Sequence, residues 1–107
     1  MTRERTERRV HPRVPLATTV EVEAEGRSFL AVVGIVSAAG MLICTGNPAA
    51  EGQKLHLTFQ VPGTERVIRT AAIVRYVLPS TSMGVQFIGL SADDVAALRE
   101  FTARTTL

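Results

Sequence analysis

Three arginines near the start of the chain, Arg8, Arg9 and Arg13, carry the most specific chemistry in the sequence. Pro12 fixes its own φ and disfavours helical geometry for the residue before it, so we expect an extended segment rather than a helix. In such a segment Arg9 and Arg13 face the same side, roughly 13 Å apart at about 3.3 Å per residue. A guanidinium can form two hydrogen bonds to a phosphate, pair with guanine or stack on a purine. The spacing therefore predicts a receptor for a broad anion that carries purine bases.

A short Ser-Ala-Ala-Gly turn at residues 37–40 follows an apolar run and is the second element of this predicted site. Gly40 has no Cβ and tolerates positive φ, so we expect backbone N–H groups of the turn to approach an anion closely. The Ser37 hydroxyl adds a donor beside them. Because a serine and a glycine at this spacing also form ordinary strand connections, it is the pairing with the arginines that favours an anion site.

The chain resembles the PilZ domain family, whose pattern is Arg-x-x-x-Arg, followed about 25 residues later by (Asp/Asn)-x-Ser-x-x-Gly. Residues 9–13 and 37–40 occupy these places, and Met-Gly-Val-Gln-Phe at residues 83–87 is similar to the last barrel strand of the family. The resemblance implies a bacterial receptor domain for cyclic di-GMP, with Arg9, Arg13, Ser37 and Gly40 as ligand-binding residues. For Arg8 it implies contact with a second, intercalated ligand molecule; a solvated position in an arginine-rich segment is the alternative.

Ile35 departs from the family pattern, because it stands where the family has Asp or Asn. Isoleucine offers no acceptor to the N1–H and N2–H edge of guanine, a contact worth about 1–3 kcal/mol. Three outcomes stay open: weaker binding of cyclic di-GMP, relaxed selectivity that admits 3′,3′-cyclic GMP-AMP, or a degenerate domain that acts as an adaptor by protein–protein contact without nucleotide. We rank them in that order.

The composition indicates a single globular domain, since 46% of the 107 residues are apolar. Residues 1–13 hold five arginines and two glutamates, a net charge of +3, whereas the remainder carries −1. A basic segment of this kind also suits nucleic acid, but proteins that bind single strands expose aromatic platforms. The aromatic residues here fall in strand patterns that predict core packing: Phe29, Phe59, Phe87 and Tyr76. We therefore expect no long nucleic acid as partner.

Cys44 is the single cysteine of the chain, so an intramolecular disulfide is excluded, and its apolar neighbours predict a buried, inert thiol. The apolar stretch at residues 29–44 is interrupted by glycine and serine and is shorter than the ~20 residues of a membrane-spanning helix. The first residues lack the apolar segment of a secretory signal. These features predict a cytoplasmic domain and no membrane as partner.

Alternation of apolar and polar residues predicts about six strands joined by short turns. We expect them at residues 18–23, 29–36, 41–44, 55–61, 66–77 and 83–88. Ser91, with Asp94 three residues later, predicts a helix cap, and apolar residues follow at helical spacing: Val95, Leu98 and Phe101. The predicted fold is mostly β, a small six-stranded antiparallel, PilZ-like β-barrel with a C-terminal α-helix that seals one mouth. We divide the chain into a flexible arginine-rich arm, residues 1–16, and the barrel domain, residues 17–107.

The sequence carries no recognisable catalytic or metal-binding motif. Asp93 and Asp94 are the only aspartates and suit a helix start, and neither His11 nor His56 has a partner at metal-ligand spacing. We therefore predict a binding module rather than an enzyme, with no cofactor other than its ligand. The resemblance implies that ligand binding orders the arm and presents a new surface to an unidentified protein partner in motility, exopolysaccharide synthesis or transcription.

Overall fold

The structure, a computed structural model, describes residues 14–105, apart from the side chains of Leu16 and Ala17. Its elements are β1 (Val14–Ala24), β2 (Arg27–Val36), β3 (Gly40–Cys44), β4 (Lys54–Gln60), β5 (Val67–Leu78), β6 (Ser82–Ile88) and α1 (Ala92–Thr105). The strands form a closed barrel in the order β1-β2-β3-β6-β5-β4, and every neighbouring pair is antiparallel. The predicted fold class, a six-stranded antiparallel barrel with a C-terminal helix, is confirmed.

Alternating burial explains why these segments form strands around one core. In β1, Val20 and Val22 are fully buried while Glu21 and Glu23 face solvent. The inward-facing residues of β4 and β6 continue the pattern, and the rings of Phe59 and Phe87 stack with centroids 6.0 Å apart. Closure pairs both sides of each of the six strands, so the barrel formed by the described residues offers no free strand edge to another chain.

Helix α1 shares the core of the barrel. The Ser91 Oγ accepts a hydrogen bond from the backbone N–H of Asp94 at 3.0 Å, which confirms the predicted cap. The Asp94 carboxylate in turn contacts the guanidinium of Arg66, just before β5, at 2.8 Å. Leu98 is fully buried in the core cluster, and its helical neighbours pack against that cluster: Val95 and Phe101. No helix among residues 14–105 is long and apolar enough to cross a membrane.

The strand pairing shifts register at three places, one of them between Pro15 and Thr18 in β1, and the other two decide which large side chains face outward. The pairing of β2 with β3 shifts register between Val33 and Ile35, and the pairing of β5 with β6 shifts between Val74 and Tyr76. An extra residue in one strand moves the side chains that follow to the opposite face. Strict alternation from the buried Val33 and Val74 would place Ile35 and Tyr76 inside, yet their exposed fractions are 37% and 51%.

Two predictions about single side chains are wrong. Tyr76, assigned to the core, faces outward because of the bulge before it. Cys44, expected to be buried, is exposed because it follows the fully buried Ile43 in a regular strand and so points to the other face.

The first strand begins earlier than expected. β1 starts at Val14, so residues 14–16, which we had assigned to the arm, form its first three residues. Residues 1–13 of the predicted arm lie outside the described residues, and the division between arm and barrel stays a prediction.

We expect Leu98→Ala to lower the free energy of unfolding by about 2–4 kcal/mol, because it leaves a cavity where a fully buried side chain fills the core. Urea denaturation followed by far-UV circular dichroism measures this change. Leu30→Ala is the matched control: its side chain is exposed on β2, and its effect should stay within about 0.5 kcal/mol. Equal effects of the two substitutions would contradict a core shared by α1 and the barrel.

Candidate functional site

The turn at residues 37–40 joins β2 to β3 and is held together by the side chain of Ser37. The buried Ser37 Oγ accepts hydrogen bonds from the backbone N–H groups of Ala39, at 3.0 Å, and Gly40, at 3.3 Å. The N–H of Ser37 donates to the carbonyl oxygen of Gly40 at 2.9 Å. Two of the N–H groups that we expected to face an anion are therefore engaged within the turn. The hydroxyl, having accepted these bonds, still has its own hydrogen to donate.

Gly40 is needed for close packing rather than for an unusual backbone angle. It is not one of the described glycines with positive φ. A Cβ on Gly40 would collide with the carbonyl oxygen of Val85 in β6 and would come within 3.2 Å of the Cα of Gln86. The N–H of Phe87 donates to the carbonyl oxygen of Ala39 at 2.8 Å and ties the turn to the same strand. The absence of a side chain at Gly40 thus lets the turn lie directly on β6.

An uncharged row of residues crosses the outer face of four strands beside this turn. Ile35 of β2 lies opposite Leu42 of β3, which lies opposite Gly84 of β6. Gly84 in turn lies opposite Tyr76 of β5. We call these four residues the outer row. The Tyr76 ring lies over Gly84, because a Cβ at Gly84 would collide with the ring carbons and come within 2.7 Å of the phenol oxygen.

Tyr76, at one end of the outer row, offers an aromatic ring on which a planar group can stack. Ile35 and Tyr76 are exposed at its two ends, and Leu42 is half-buried between them. Aromatic side chains hold purines of any kind by stacking, without reading the base edge. A polar flank adjoins the row, where the Nε of Arg75 donates to the Oε1 of Gln86 at 2.6 Å. The described part of the site therefore combines a stacking surface with donors at its margins.

The predicted site residues fall into two groups. One group lies together at one end of the outer face: Ile35, Ser37 and Gly40. The other lies outside the described residues: Arg8, Arg9 and Arg13. Whether any of the six contacts a ligand stays a prediction.

The start of β1 connects the two groups along the chain. Val14, which follows Arg13 in sequence, pairs with Val36, the residue before Ser37. Pro15, next in the strand, pairs with Ile35. The chain therefore enters the barrel beside the 37–40 turn.

A family comparison decides what kind of domain this is, because the profile of the PilZ domain matches residues 7–104. The chain belongs to the PilZ domain family. PilZ domains are in general receptor domains for cyclic di-GMP that act on partner proteins; they are binding and adaptor domains rather than enzymes. The resemblance predicted from the short motifs is confirmed.

Solved structures share the fold. The Bacillus subtilis inhibitor of motility MotI/DgrA matches with a TM-score of 0.80 and 24% identity, over 90% of this chain and 50% of that one. PlzA of Borreliella burgdorferi, solved in complex with c-di-GMP, matches with a TM-score of 0.71 and 10% identity, over 94% and 43%. The PilZ domain of CeSA from a cellulose-synthesising bacterium matches with a TM-score of 0.66 and 12% identity, over 86% and 95%.

This PilZ domain spans about half the length of MotI and less than half that of PlzA. No curated protein sequence matches it. Among residues 14–105, no cluster of three His, Cys, Asp or Glu side chains is arranged to hold a metal ion.

Sequence analysis missed Tyr76 and Gly84 as members of the candidate site. The bulge before Tyr76 leaves no mark in the apolar pattern of β5, so alternation assigned its ring to the core. Gly84 was the available signal, because a glycine inside a strand often marks the close approach of another group. In this PilZ domain that group is the Tyr76 ring.

We expect Ser37→Ala to lower the free energy of unfolding by about 1–3 kcal/mol, because it removes the acceptor of two backbone N–H groups in a partly buried turn. Chemical denaturation measures the loss, and amide hydrogen exchange should accelerate at Ala39 and Gly40. The control is Ser28→Ala on the exposed side of β2, expected within about 0.5 kcal/mol of the parent. Unchanged exchange at both amides would argue against this turn geometry.

Proposed function

We propose that this PilZ domain is a receptor for cyclic di-GMP that binds the nucleotide on its outer face, beside the 37–40 turn. The observation that carries the proposal is the position of the turn: it lies at the β2 end of an uncharged row whose two end residues, Ile35 and Tyr76, are exposed. The family, whose domains are in general cyclic di-GMP receptors, supports the ligand class.

In the proposed complex the arginines bind the charged and polar parts of the ligand. Arg9 and Arg13 supply forks of donors for the phosphates and for the O6 and N7 atoms of guanine. Arg8 adds a third guanidinium, which suits a second ligand molecule stacked on the first. The Ser37 hydroxyl donates its remaining hydrogen to the same ligand.

The outer row receives a purine in this complex. Tyr76 presents a half-exposed aromatic ring held against the backbone of β6 by its contact with Gly84. A rigid ring of this kind stacks on a base with little loss of side-chain entropy, and base–aromatic stacking contributes about 1–3 kcal/mol. Leu42 extends the apolar surface toward Ile35.

The domain signals through a change in the surface that it presents to a partner protein. Bound nucleotide and the arginine segment together cover the 37–40 turn and the outer row, so the domain shows a partner protein a different face in the two states. We also propose that the partner protein has a role in motility or exopolysaccharide synthesis and that the domain is cytoplasmic.

Calorimetric titration of the domain tests the proposal. We expect exothermic binding of cyclic di-GMP that weakens as salt is raised, because the contacts are largely charge-assisted. Arg13→Ala should weaken binding at least about tenfold, equivalent to about 1.4 kcal/mol. Arg69→Ala removes the same charge near the end of β5 opposite to Tyr76, where Arg69 pairs with Thr58 of β4, and should leave the affinity within about twofold.

A second measurement localises the ligand. Tyr76 is the only tyrosine in the chain, so its ring signals in NMR spectra are unambiguous. We expect them to shift on titration with cyclic di-GMP, as aromatic stacking perturbs them directly. Flat calorimetric traces with cyclic di-GMP, 3′,3′-cyclic GMP-AMP and a linear GMP dinucleotide would refute the receptor and favour the adaptor.

Base selectivity of the receptor is proposed to be relaxed by Ile35. Its side chain is exposed on the outer face next to Ser37, where the family pattern has an acceptor for the guanine edge. A purine held by stacking and by arginines is read less strictly than one whose N1–H and N2–H are paired. Of the alternatives to a strict receptor, an exposed Ile35 favours a domain that also accepts 3′,3′-cyclic GMP-AMP.

We therefore expect Ile35→Asn to tighten binding of cyclic di-GMP and to raise its preference over 3′,3′-cyclic GMP-AMP by about 5- to 150-fold, the value of one base-edge contact of about 1–3 kcal/mol. Ile35→Asp should also tighten binding of cyclic di-GMP, but by a smaller factor, because its negative charge repels the ligand phosphates. Ile35→Val keeps an apolar side chain and is the control. Weaker binding of both nucleotides to Ile35→Asn than to Ile35→Val would show that this position does not face the guanine edge.

A further inference from the structure

Arg75 is an exposed cation on β5 whose side chain is held by a neutral group. Within residues 14–105, no carboxylate oxygen lies at ion-pair distance from its guanidinium. Its Nε donates instead to the Oε1 of Gln86 on β6 at 2.6 Å, and both residues are exposed. The guanidinium is therefore fixed in place while its charge is not balanced by an acidic side chain of the described barrel.

The bulge in β5 explains why Arg75 shares a face with Tyr76. Val74 lies opposite Val85, and Tyr76 lies opposite Gly84. Arg75, between them, is the extra residue of β5 and has no position opposite it on β6. Neighbours in a regular strand face opposite sides, yet Arg75 and Tyr76 are both exposed. The bulge thus puts a guanidinium and an aromatic ring on the same outer surface.

The ring and the guanidinium lie side by side over β6. The Tyr76 ring covers Gly84, and the Arg75 guanidinium reaches Gln86, two residues farther along the strand. Residues two apart in a strand face the same side and lie roughly 7 Å apart, at about 3.4 Å per residue. A flat base that stacks on the ring therefore has one edge within reach of the guanidinium.

Gln86 connects this pair to the 37–40 turn and orients the guanidinium. It lies opposite Gly40 in the pairing of β3 with β6, and the Gly40 N–H donates to the Ser37 Oγ. Because Gln86 accepts the Nε hydrogen of Arg75, the four hydrogens on the two terminal nitrogens stay available. The plane of the guanidinium is set before any ligand arrives.

We infer that Arg75 is a base-reading residue for one guanine of the bound nucleotide and that Gln86 is its positioning residue. This inference rests on the proposed function, which places a purine on Tyr76. Guanine presents two acceptors, O6 and N7, on one edge, and a guanidinium fork donates to both. Adenine presents N7 and the N6 amino donor on the same edge, so it loses one hydrogen bond and brings two donors together.

A base edge suits Arg75 better than a phosphate does. Its guanidinium lies beside the ring that stacks the base, whereas Arg9 and Arg13 hold the phosphates in the proposed complex. A phosphate contact would strengthen the binding of every cyclic dinucleotide equally, and a base-edge contact strengthens only those that present guanine. Selectivity therefore separates the two kinds of acceptor by experiment.

The two base positions then differ in what they accept. Arg75 requires guanine at the Tyr76 end of the outer row, while Ile35 at the other end offers no acceptor to the second base. The ligand class is thus a cyclic dinucleotide with at least one guanine. Cyclic di-GMP and 3′,3′-cyclic GMP-AMP meet this requirement, and cyclic di-AMP does not.

Calorimetric titration with cyclic di-GMP, 3′,3′-cyclic GMP-AMP and cyclic di-AMP tests the inference. We expect the two guanine ligands to bind the wild-type chain within about threefold of each other. Cyclic di-AMP should bind about 5- to 150-fold more weakly, the value of one bidentate base contact. Arg75→Lys keeps the charge but loses the fork, so both guanine ligands should fall to within about threefold of cyclic di-AMP. Arg69→Lys, the same substitution at another exposed position of β5, is the control and should keep the wild-type order.

Two substitutions of Gln86 test its positioning role. Gln86→Leu removes the acceptor of the Arg75 Nε hydrogen, so the preference for guanine should fall at least about threefold. Gln86→Glu keeps an acceptor and should retain the preference, although its charge weakens the binding of every ligand. A merely structural role would change the stability of the fold and not the ratio of affinities, so an unchanged ratio in Gln86→Leu overturns the positioning role. Circular dichroism confirms that each variant is folded.

Three results would overturn the reading of guanine by Arg75. They are equal affinity of the wild-type chain for cyclic di-AMP and cyclic di-GMP, an unchanged order in Arg75→Lys, and an equal loss for all three ligands, which would identify a phosphate contact. In each case the wild-type chain still binds cyclic di-GMP, so the proposed receptor stands. Flat traces with all three nucleotides refute the receptor itself, and this inference with it.

Discussion

β2 carries one residue more than β3 where these strands pair, and β5 carries one more than β6, and this mismatch determines what the outer surface of the PilZ domain presents. Both bulges lie on strands that flank the central pair β3 and β6, at the same level of the barrel. Each turns a large apolar side chain outward without disturbing the inward residues on either side of it. Without them Ile35 and Tyr76 would point into the core, and the outer row would lose both of its exposed ends.

β6 provides the platform on which the exposed groups rest. Its backbone accepts the turn at Gly40 and the ring of Tyr76 at Gly84, and in both places a side chain would collide. Both glycines allow a close contact with β6. Gly40 has no side chain that would collide with the backbone of β6, and Gly84 has none that would collide with the Tyr76 ring. The site is therefore built on a strand paired along both sides, which restricts its movement.

Much of the fold follows from the sequence because burial alternates strictly over most of the barrel. Val20, Val22, Leu55 and Leu57 lie inside as the period of two requires. Ser91 caps α1 because its side chain, in this position, meets an otherwise unpaired N–H. These features depend on near neighbours in the chain, and a single sequence suffices to predict them.

The candidate site was harder to predict because it depends on cross-strand register. The positions of Ser37 and Gly40 were found from a motif, yet the hydroxyl bonds its own turn and the glycine contacts β6 rather than adopting positive φ. Tyr76 was misplaced because a bulge changes the face of a residue without changing its type. Cys44 shows the limit of local hydrophobicity, since apolar neighbours do not determine which face of a strand a residue occupies.

The distribution of charge explains why the proposed ligand must be an anion. The first 13 residues carry a net charge of +3, and the strand that follows them begins opposite Val36 and Ile35, beside an uncharged row. Guanidinium groups laid over an apolar face would lose water without gaining a partner, which is unfavourable by several kcal/mol for each fully desolvated charge. A dianion with two flat bases removes this obstacle, because its phosphates pair with the arginines while a base covers the apolar row. In the proposed receptor the arginines therefore cover the uncharged row only together with their ligand.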